Sequence, residues 1–251
     1  MLESLKQKTT DGSVLKKTGC VLIHGFTGTP WAMEHLGRRL EALGASVRIP
    51  LLPGHGTVPE DLNRVTWTDW IETVRVQCRS LEKSCDELFL IGLSMGGTIS
   101  LLLAQERELR GVVCLSTPVK MKSWLRPLLP LIRLFIKEWK KKRDPAVSGH
   151  GEEIGYDRYT LPSLIEFFDL MKTCREGLHR VRCPVLIMQA RNDRTVPERN
   201  ADLIRDRIGS ADKTVHRLNH PAHMITRGQN QDEVEQRVLA FVQARSTHLN
   251  G

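Results

Sequence analysis

Short apolar runs recur along the chain at Cys20–His24, Ser46–Pro50, Glu87–Gly92, Val112–Ser116, Pro184–Ala190 and Thr214–Leu218. They are rich in Val, Ile and Leu and mostly lack the polar alternation of a strand with one wet face. Such runs predict strands buried on both sides. The intervening segments carry helical periodicity: Trp31–Leu43, Thr68–Lys83, Met95–Glu108, Glu198–Ile208 and Gln231–Ala244. Strands alternating with helices predict a mostly parallel sheet with helices on both faces, an α/β fold.

The rhythm breaks between Pro118 and Arg182, where no convincing strand is present. This stretch holds Trp124-Leu-Arg-Pro-Leu-Leu-Pro130, the basic run Lys140-Lys-Lys-Arg143 and an amphipathic segment over Leu161–Leu178. It reads as a small helical cap inserted into the α/β unit. The expected organisation is a first core part over 1–117, a cap over 118–182 and a second core part over 183–251.

With 251 residues, 40% hydrophobic and 26% charged, the chain has the composition of a globular domain, which excludes long disorder, collagen and coiled coil. Met1–Thr18 contains no apolar stretch of signal-peptide length. No run reaches the roughly 20 apolar residues of a membrane span; the longest candidate, Leu125–Ile136, is interrupted by Arg126 and Arg133. The six cysteines form no Cys-x-x-Cys pair, which argues against a zinc ribbon or redox motif. A reduced, cytoplasmic setting is the expectation. The formal charge is +8, and Lys120–Asp144 holds nine Lys/Arg against two acids. Nearly all the excess positive charge thus lies at the start of the cap. Interleaved with Trp124, Trp139 and many leucines, it suits peripheral contact with anionic lipid better than a phosphate groove, and no nucleic acid partner is expected. A solvated basic helix face is the plainer alternative.

The chemistry is concentrated at the carboxyl ends of the expected strands. Gly92-Leu-Ser-Met-Gly96 follows the apolar Glu87–Ile91 and leads directly into the apolar helix from Met95. A serine in this strand–turn–helix context sits on a nucleophile elbow, with its hydroxyl exposed at a helix N-terminus. A serine hydroxyl is a weak nucleophile near neutral pH and needs a base held by an acid. Asp193 follows the strand ending at Ala190, so its carboxylate faces the same rim as Ser94. His223, in His220-Pro-Ala-His-Met-Ile225, lies beyond the last strand. It is preferred to His220 because it runs into Met224-Ile225, which reads as the anchored start of the closing helix. His220-x-x-His223 without a zincin glutamate does not make a metal site. Acyl chemistry also needs oxyanion donors. The turn after the first strand, His24-Gly-Phe-Thr-Gly28, can aim the Phe26 N–H at Ser94, opposite the N–H of Met95. His24 and His55, the latter in Pro53-Gly-His-Gly56, read as structural.

Taken together, His-Gly-Phe-Thr-Gly (24–28), Gly-His-Gly (54–56), Gly-Leu-Ser-Met-Gly-Gly (92–97), Gln-Ala-x-x-Asp (189–193) and His-x-Ile-Thr (223–226) resemble the α/β-hydrolase family. Within it, the chain looks most like the small carboxylesterases and monoacylglycerol lipases of Bacillus type. The resemblance implies a Ser94–Asp193–His223 triad, an oxyanion hole from the Phe26 and Met95 amides, and a helical cap over an apolar acyl pocket. It implies neither a metal nor an organic cofactor. It also implies a cap carboxylate that helps hold glycerol. Glu152, Glu153 and Asp157 are the candidates, with Arg158 competing for the position. The expected activity is hydrolysis of short- or medium-chain acyl esters, monoacylglycerols included. The same parts suit a lysophospholipase, thioesterase or acyltransferase. From another class, the alternative is a binding protein that keeps the hydrolase parts only as scaffold.

Overall fold

The computed structural model describes residues 15–121, 138–140 and 155–247. Six strands form one parallel sheet in the order β2-β1-β3-β4-β7-β8: β1 (Thr18–Ile23), β2 (Ser46–Arg48), β3 (Glu87–Leu93), β4 (Gly111–Leu115), β7 (Val185–Ala190) and β8 (Lys213–Leu218). The helices that accompany them are α1 (Trp31–Glu41), α2 (Trp67–Leu81), α3 (Met95–Leu103), α4 (Leu161–Glu176), α5 (Arg199–Arg207) and α6 (Gln231–Arg245). Every strand and helix expected in the core is present, displaced at the ends by a few residues.

The continuous apolar strands are explained by two cores, one on each face. Because strand side chains alternate, Val21 and Ile23 join Leu90, Val112, Cys114 and Ile187 under α2, α3 and α5. Cys20 and Leu22 point the other way, joining Phe89, Ile91, Val113 and Met188 under α1 and α6. α1 is amphipathic and buries only Ala32, Met33, Leu36, Gly37 and Leu40. α3 differs in burying all nine of its residues, since α4 packs on the side away from the sheet. A helix covered all round reads as uniformly apolar, as Met-Gly-Gly-Thr-Ile-Ser-Leu-Leu-Leu does. It ends at Leu103, five residues before the expected Glu108. The Gln105 side chain, beyond its end, instead donates to the Cys174 carbonyl of α4 at 2.8 Å.

Between β4 and β7 the structure corrects the expectation of a strandless insertion. β5 (Glu138–Lys140) and β6 (Arg158–Thr160) pair antiparallel, with Trp139 opposite Tyr159. Three-residue strands separated by 17 residues leave no readable period; β6 packs against the 3-10 turn Pro59–Arg64, and β5, exposed throughout, lies along β6. Trp139 is 54% exposed. The remainder of the basic run, Lys141–Arg143, and the apolar 125–136 segment lie outside the described residues. Among the described residues, no helix is long and apolar enough to cross a membrane. All six cysteines are free thiols.

β1 leads to β2 on one side of it and pairs with β3 on the other. The carboxyl ends of β1 and β3 therefore flank a point where the winding reverses, the usual position of a ligand crevice in open α/β sheets.

Candidate active site

Ser94 occupies the tight turn between β3 and α3 with φ 53° and ψ −118°, a region that non-glycine residues seldom enter. The turn is held from several sides. The Ser94 N–H donates to the Leu115 carbonyl at 2.7 Å, and the Ser94 carbonyl accepts from Gly97 N–H at 2.9 Å. Glycine at 92 and 96 is a steric necessity. A Cβ on Gly92 would lie 2.1 Å from the Gly96 carbonyl carbon, and one on Gly96 would lie 2.1 Å from the Ile23 carbonyl oxygen. The elbow thus presses β3, α3 and the end of β1 together, which projects the hydroxyl above the sheet.

The other two expected residues arrive from separate strand ends. His223, in the loop after β8, stands with Nε2 3.0 Å from Ser94 Oγ. Its Nδ1 is 3.0 Å from Asp193 Oδ2. The carboxylate accepts, so Nδ1 carries the proton and Nε2 is left to accept from the serine hydroxyl. The Asp193 side chain is fully buried, and a buried carboxylate needs its hydrogen bonds filled. Thr195 and Val196 donate their N–H groups to Oδ1 at 2.7 and 2.9 Å, and Gln189 Nε2 donates to Oδ2 at 3.0 Å. His220 is exposed, and its carbonyl accepts from Asn230 Nδ2 at 2.9 Å. Met224-Ile225 is anchored, with Ile225 fully buried, but it does not start the closing helix. It lies in a turn followed by a short 3-10 turn, and α6 begins only at Gln231. The loop has to descend from the rim before α6 can pack against the sheet.

The turn after β1 lies directly over Ser94: a Cβ on Gly25 would come within 3.2 Å of Ser94 Cβ and 3.8 Å of its Oγ. The next N–H is that of Phe26, and Met95 opens α3 on the other side. Among the described residues, no hydrogen bond engages either of these N–H groups, although both residues are buried. Two buried, unengaged donors beside a nucleophile are what a developing oxyanion requires. The Phe26 ring belongs to an aromatic cluster. It stacks on Tyr159 at 5.6 Å and 1°, and meets Phe167 at 5.0 Å and Trp70 at 5.9 Å.

His24 and His55 are structural, as the pattern suggests. Fully buried His24 receives the Leu52 N–H on Nε2 at 3.1 Å, with Nδ1 2.9 Å from the Gly25 carbonyl. Burial lowers its pKa from 6.5 to about 4. Below pH 6.5 the unfolded chain takes up a proton that the folded chain refuses, so stability should fall as pH drops toward 4. At about 1.4 kcal/mol per pH unit the loss amounts to about 3 kcal/mol. Thermal unfolding of wild type and His24→Gln across pH 4–7 checks this. The variant should be less stable at pH 7 and lose less on acidification; equal acid sensitivity would place the titrating group elsewhere.

Of the cap carboxylate candidates, Glu152 and Glu153 lie outside the described residues. Asp157 is exposed and pairs with Arg158 at 3.4 Å. Arg158 is also held by Glu60 and Glu138, at 3.0 Å each. Sequence reasoning missed the donor role of Gln189 and the contacts of Tyr156 described below. Gln189 was within reach, because a polar side chain at the end of a fully buried strand needs a partner. Tyr156 carried no comparable signal.

A parallel sheet with a strained serine elbow at its winding reversal, and His and Asp delivered from later strand ends, defines an α/β-hydrolase. A family model described as "Serine aminopeptidase, S33" matches residues 16–230, and the chain belongs to that family. It is 34% identical to a thermostable monoacylglycerol lipase of Bacillus sp. (strain H-257) over 227 residues, 89% of each protein. It is 27% identical to a carboxylesterase of Bacillus subtilis (strain 168), over 89% of this chain and 91% of the relative. A solved structure from work on LipS and LipT, two metagenome-derived lipolytic enzymes, superposes with a TM-score of 0.85 and 31% identity, covering 92% of this chain and 96% of that one. The chain is a carboxylic ester hydrolase.

Proposed function

We propose that the protein hydrolyses short- and medium-chain acyl esters, monoacylglycerols among them, through Ser94, His223 and Asp193 and a covalent acyl-enzyme. The observation that carries this reading is the unbroken relay Ser94 Oγ–His223 Nε2 and His223 Nδ1–Asp193 Oδ2, each step 3.0 Å. Ser94 Oγ attacks the ester carbonyl carbon while His223 Nε2 takes the hydroxyl proton. The imidazolium formed is stabilised by Asp193, which stays ionised. The carbonyl oxygen becomes an oxyanion between the Phe26 and Met95 N–H groups. On collapse, His223 returns its proton to the departing alcohol. Water then attacks the acyl-enzyme by the same sequence, releasing the acid and restoring the serine. We read the described part of the insertion, β6 and α4, as covering the acyl pocket. A monoacylglycerol substrate is favoured by the 34% identical Bacillus relative.

Initial rates on p-nitrophenyl esters from acetate to laurate, on a monoacylglycerol and on an aminoacyl p-nitroanilide test the substrate class. Turnover should be found on the shorter esters and the monoacylglycerol, and the anilide should survive. Cleavage of the anilide with all esters intact would assign the site to peptides instead.

A further inference from the structure

The turn over Ser94 is closed by Gly28 N–H donating to the Gly25 carbonyl at 3.0 Å. Its third residue, Thr27, has φ 62°. Turns that need a positive φ at this position ordinarily place glycine or asparagine there. A β-branched residue is an outlier, and such a conformation persists only where its surroundings over-determine it.

The restraint comes from far along the chain. Tyr156 N–H donates to the Thr27 carbonyl at 2.9 Å. Gly155, with φ 114°, lies so close that a Cβ there would sit 1.9 Å from the Thr27 carbonyl oxygen and 2.8 Å from Gly28 Cα. The Tyr156 hydroxyl reaches the second glycine loop, donating to the Gly54 carbonyl at 2.9 Å and accepting the Thr57 N–H at 3.0 Å. Two residues later β6 begins, and it lays Tyr159 flat on the Phe26 ring. The segment leading into β6 thus grips both loops beside the nucleophile.

We propose that Gly155 and Tyr156 are positioning residues. They clasp the Gly25–Gly28 turn in its strained form and so aim the Phe26 N–H, which makes oxyanion stabilisation depend on these two residues of the insertion. The inference rests on the reading of Phe26 as an oxyanion donor. Neither clasp residue reaches the Ser94–His223–Asp193 relay through the contacts described. Releasing the clasp lets Thr27 relax and turns the Phe26 amide away while the relay stays assembled. Ground-state binding is then preserved and transition-state binding is weakened, which is a kcat defect.

Three variants of the full chain test this. Gly155→Ala drives a methyl group into the Thr27 carbonyl. Tyr156→Phe removes only the hydroxyl bonds to Gly54 and Thr57. Glu60→Gln cuts an exposed ion pair between the insertion and the core without touching either loop. Each is measured for kcat and KM on a soluble p-nitrophenyl ester, for thermal unfolding, and for inhibition by an alkyl trifluoromethyl ketone. Addition of the serine oxygen to that ketone creates an oxyanion, so its affinity reports the donors. Loss of a whole oxyanion donor lowers kcat by about 10²–10³-fold, and a misaimed one should lower it less. Gly155→Ala should therefore lose roughly 10–100-fold in kcat, with KM nearly unchanged and ketone affinity weakened in proportion. Tyr156→Phe should shift both quantities the same way by a smaller factor, and Glu60→Gln should match wild type. The clasp is overturned if Tyr156→Phe and a folded Gly155→Ala keep wild-type kcat and ketone affinity. It is also overturned if kcat falls without loss of ketone affinity, or if Glu60→Gln falls equally. Should Gly155→Ala fail to fold, the ketone affinity of Tyr156→Phe decides. Wild-type protein that neither turns over the ester nor binds the ketone would instead remove the serine-esterase reading itself.

Discussion

Replacing Ser94 by alanine is expected to lower ester turnover by about 10⁴-fold or more while leaving the protein folded. Alanine keeps the same Cβ in the same positive-φ elbow, and the backbone bond to Leu115 is untouched. Only the acyl acceptor is lost. His223→Ala should cost about as much, because residues acting as one relay are not additive. His220→Ala should stay near wild type, since that side chain is exposed and its one described bond, to Asn230, uses the carbonyl. Steady-state rates beside thermal unfolding curves check all three. An active His223→Ala paired with a dead His220→Ala would reverse the assignment of the base.

The second large effect is expected from Asp193→Asn, at about 10⁴-fold in kcat. Oδ1 accepts two backbone N–H groups, so the asparagine carbonyl is held there and its NH₂ takes the place of Oδ2. That NH₂ then faces two former donors, His223 Nδ1 and Gln189 Nε2. Gln189 relieves its side by rotating its amide. His223 relieves its side only by moving the proton to Nε2, where it can no longer accept from Ser94. The variant should therefore fold and bind substrate with KM little changed. Nearly normal turnover would mean that the orienting acid comes from another strand end.

The core was legible because its central strands β1, β3, β4 and β7 are buried on both faces and helices such as α1 on one, so their burial shows in the residue pattern. α1 shows this in one direction and α3 in the other: nothing at residues 104–108 breaks a helix, so the pattern predicts a longer α3 than the one that ends at Leu103. The relay was legible because a serine elbow, a carboxylate after β7 and a histidine after β8 follow from chain order in a parallel sheet. The insertion was not. β5 and β6 are too short to carry a pattern, and the contacts that hold β6, such as Tyr159 on Phe26, join residues far apart in the chain. Gly155 and Tyr156 likewise look like loop residues until Thr27 and Gly54 lie beside them. Of the two, only Gly155 bears a local mark, a glycine whose reason is a neighbour more than a hundred positions away in the chain.

The central claim is that Ser94 is the group that becomes acylated. Treating the protein with a fluorophosphonate and mapping the adduct by peptide mass spectrometry tests it most directly. The account predicts one phosphonyl group per chain, on the peptide containing Gly92–Gly96 and located at Ser94, and no adduct in His223→Ala over the same time. A protein that hydrolyses esters yet stays unmodified, or carries the adduct on another residue, would contradict it.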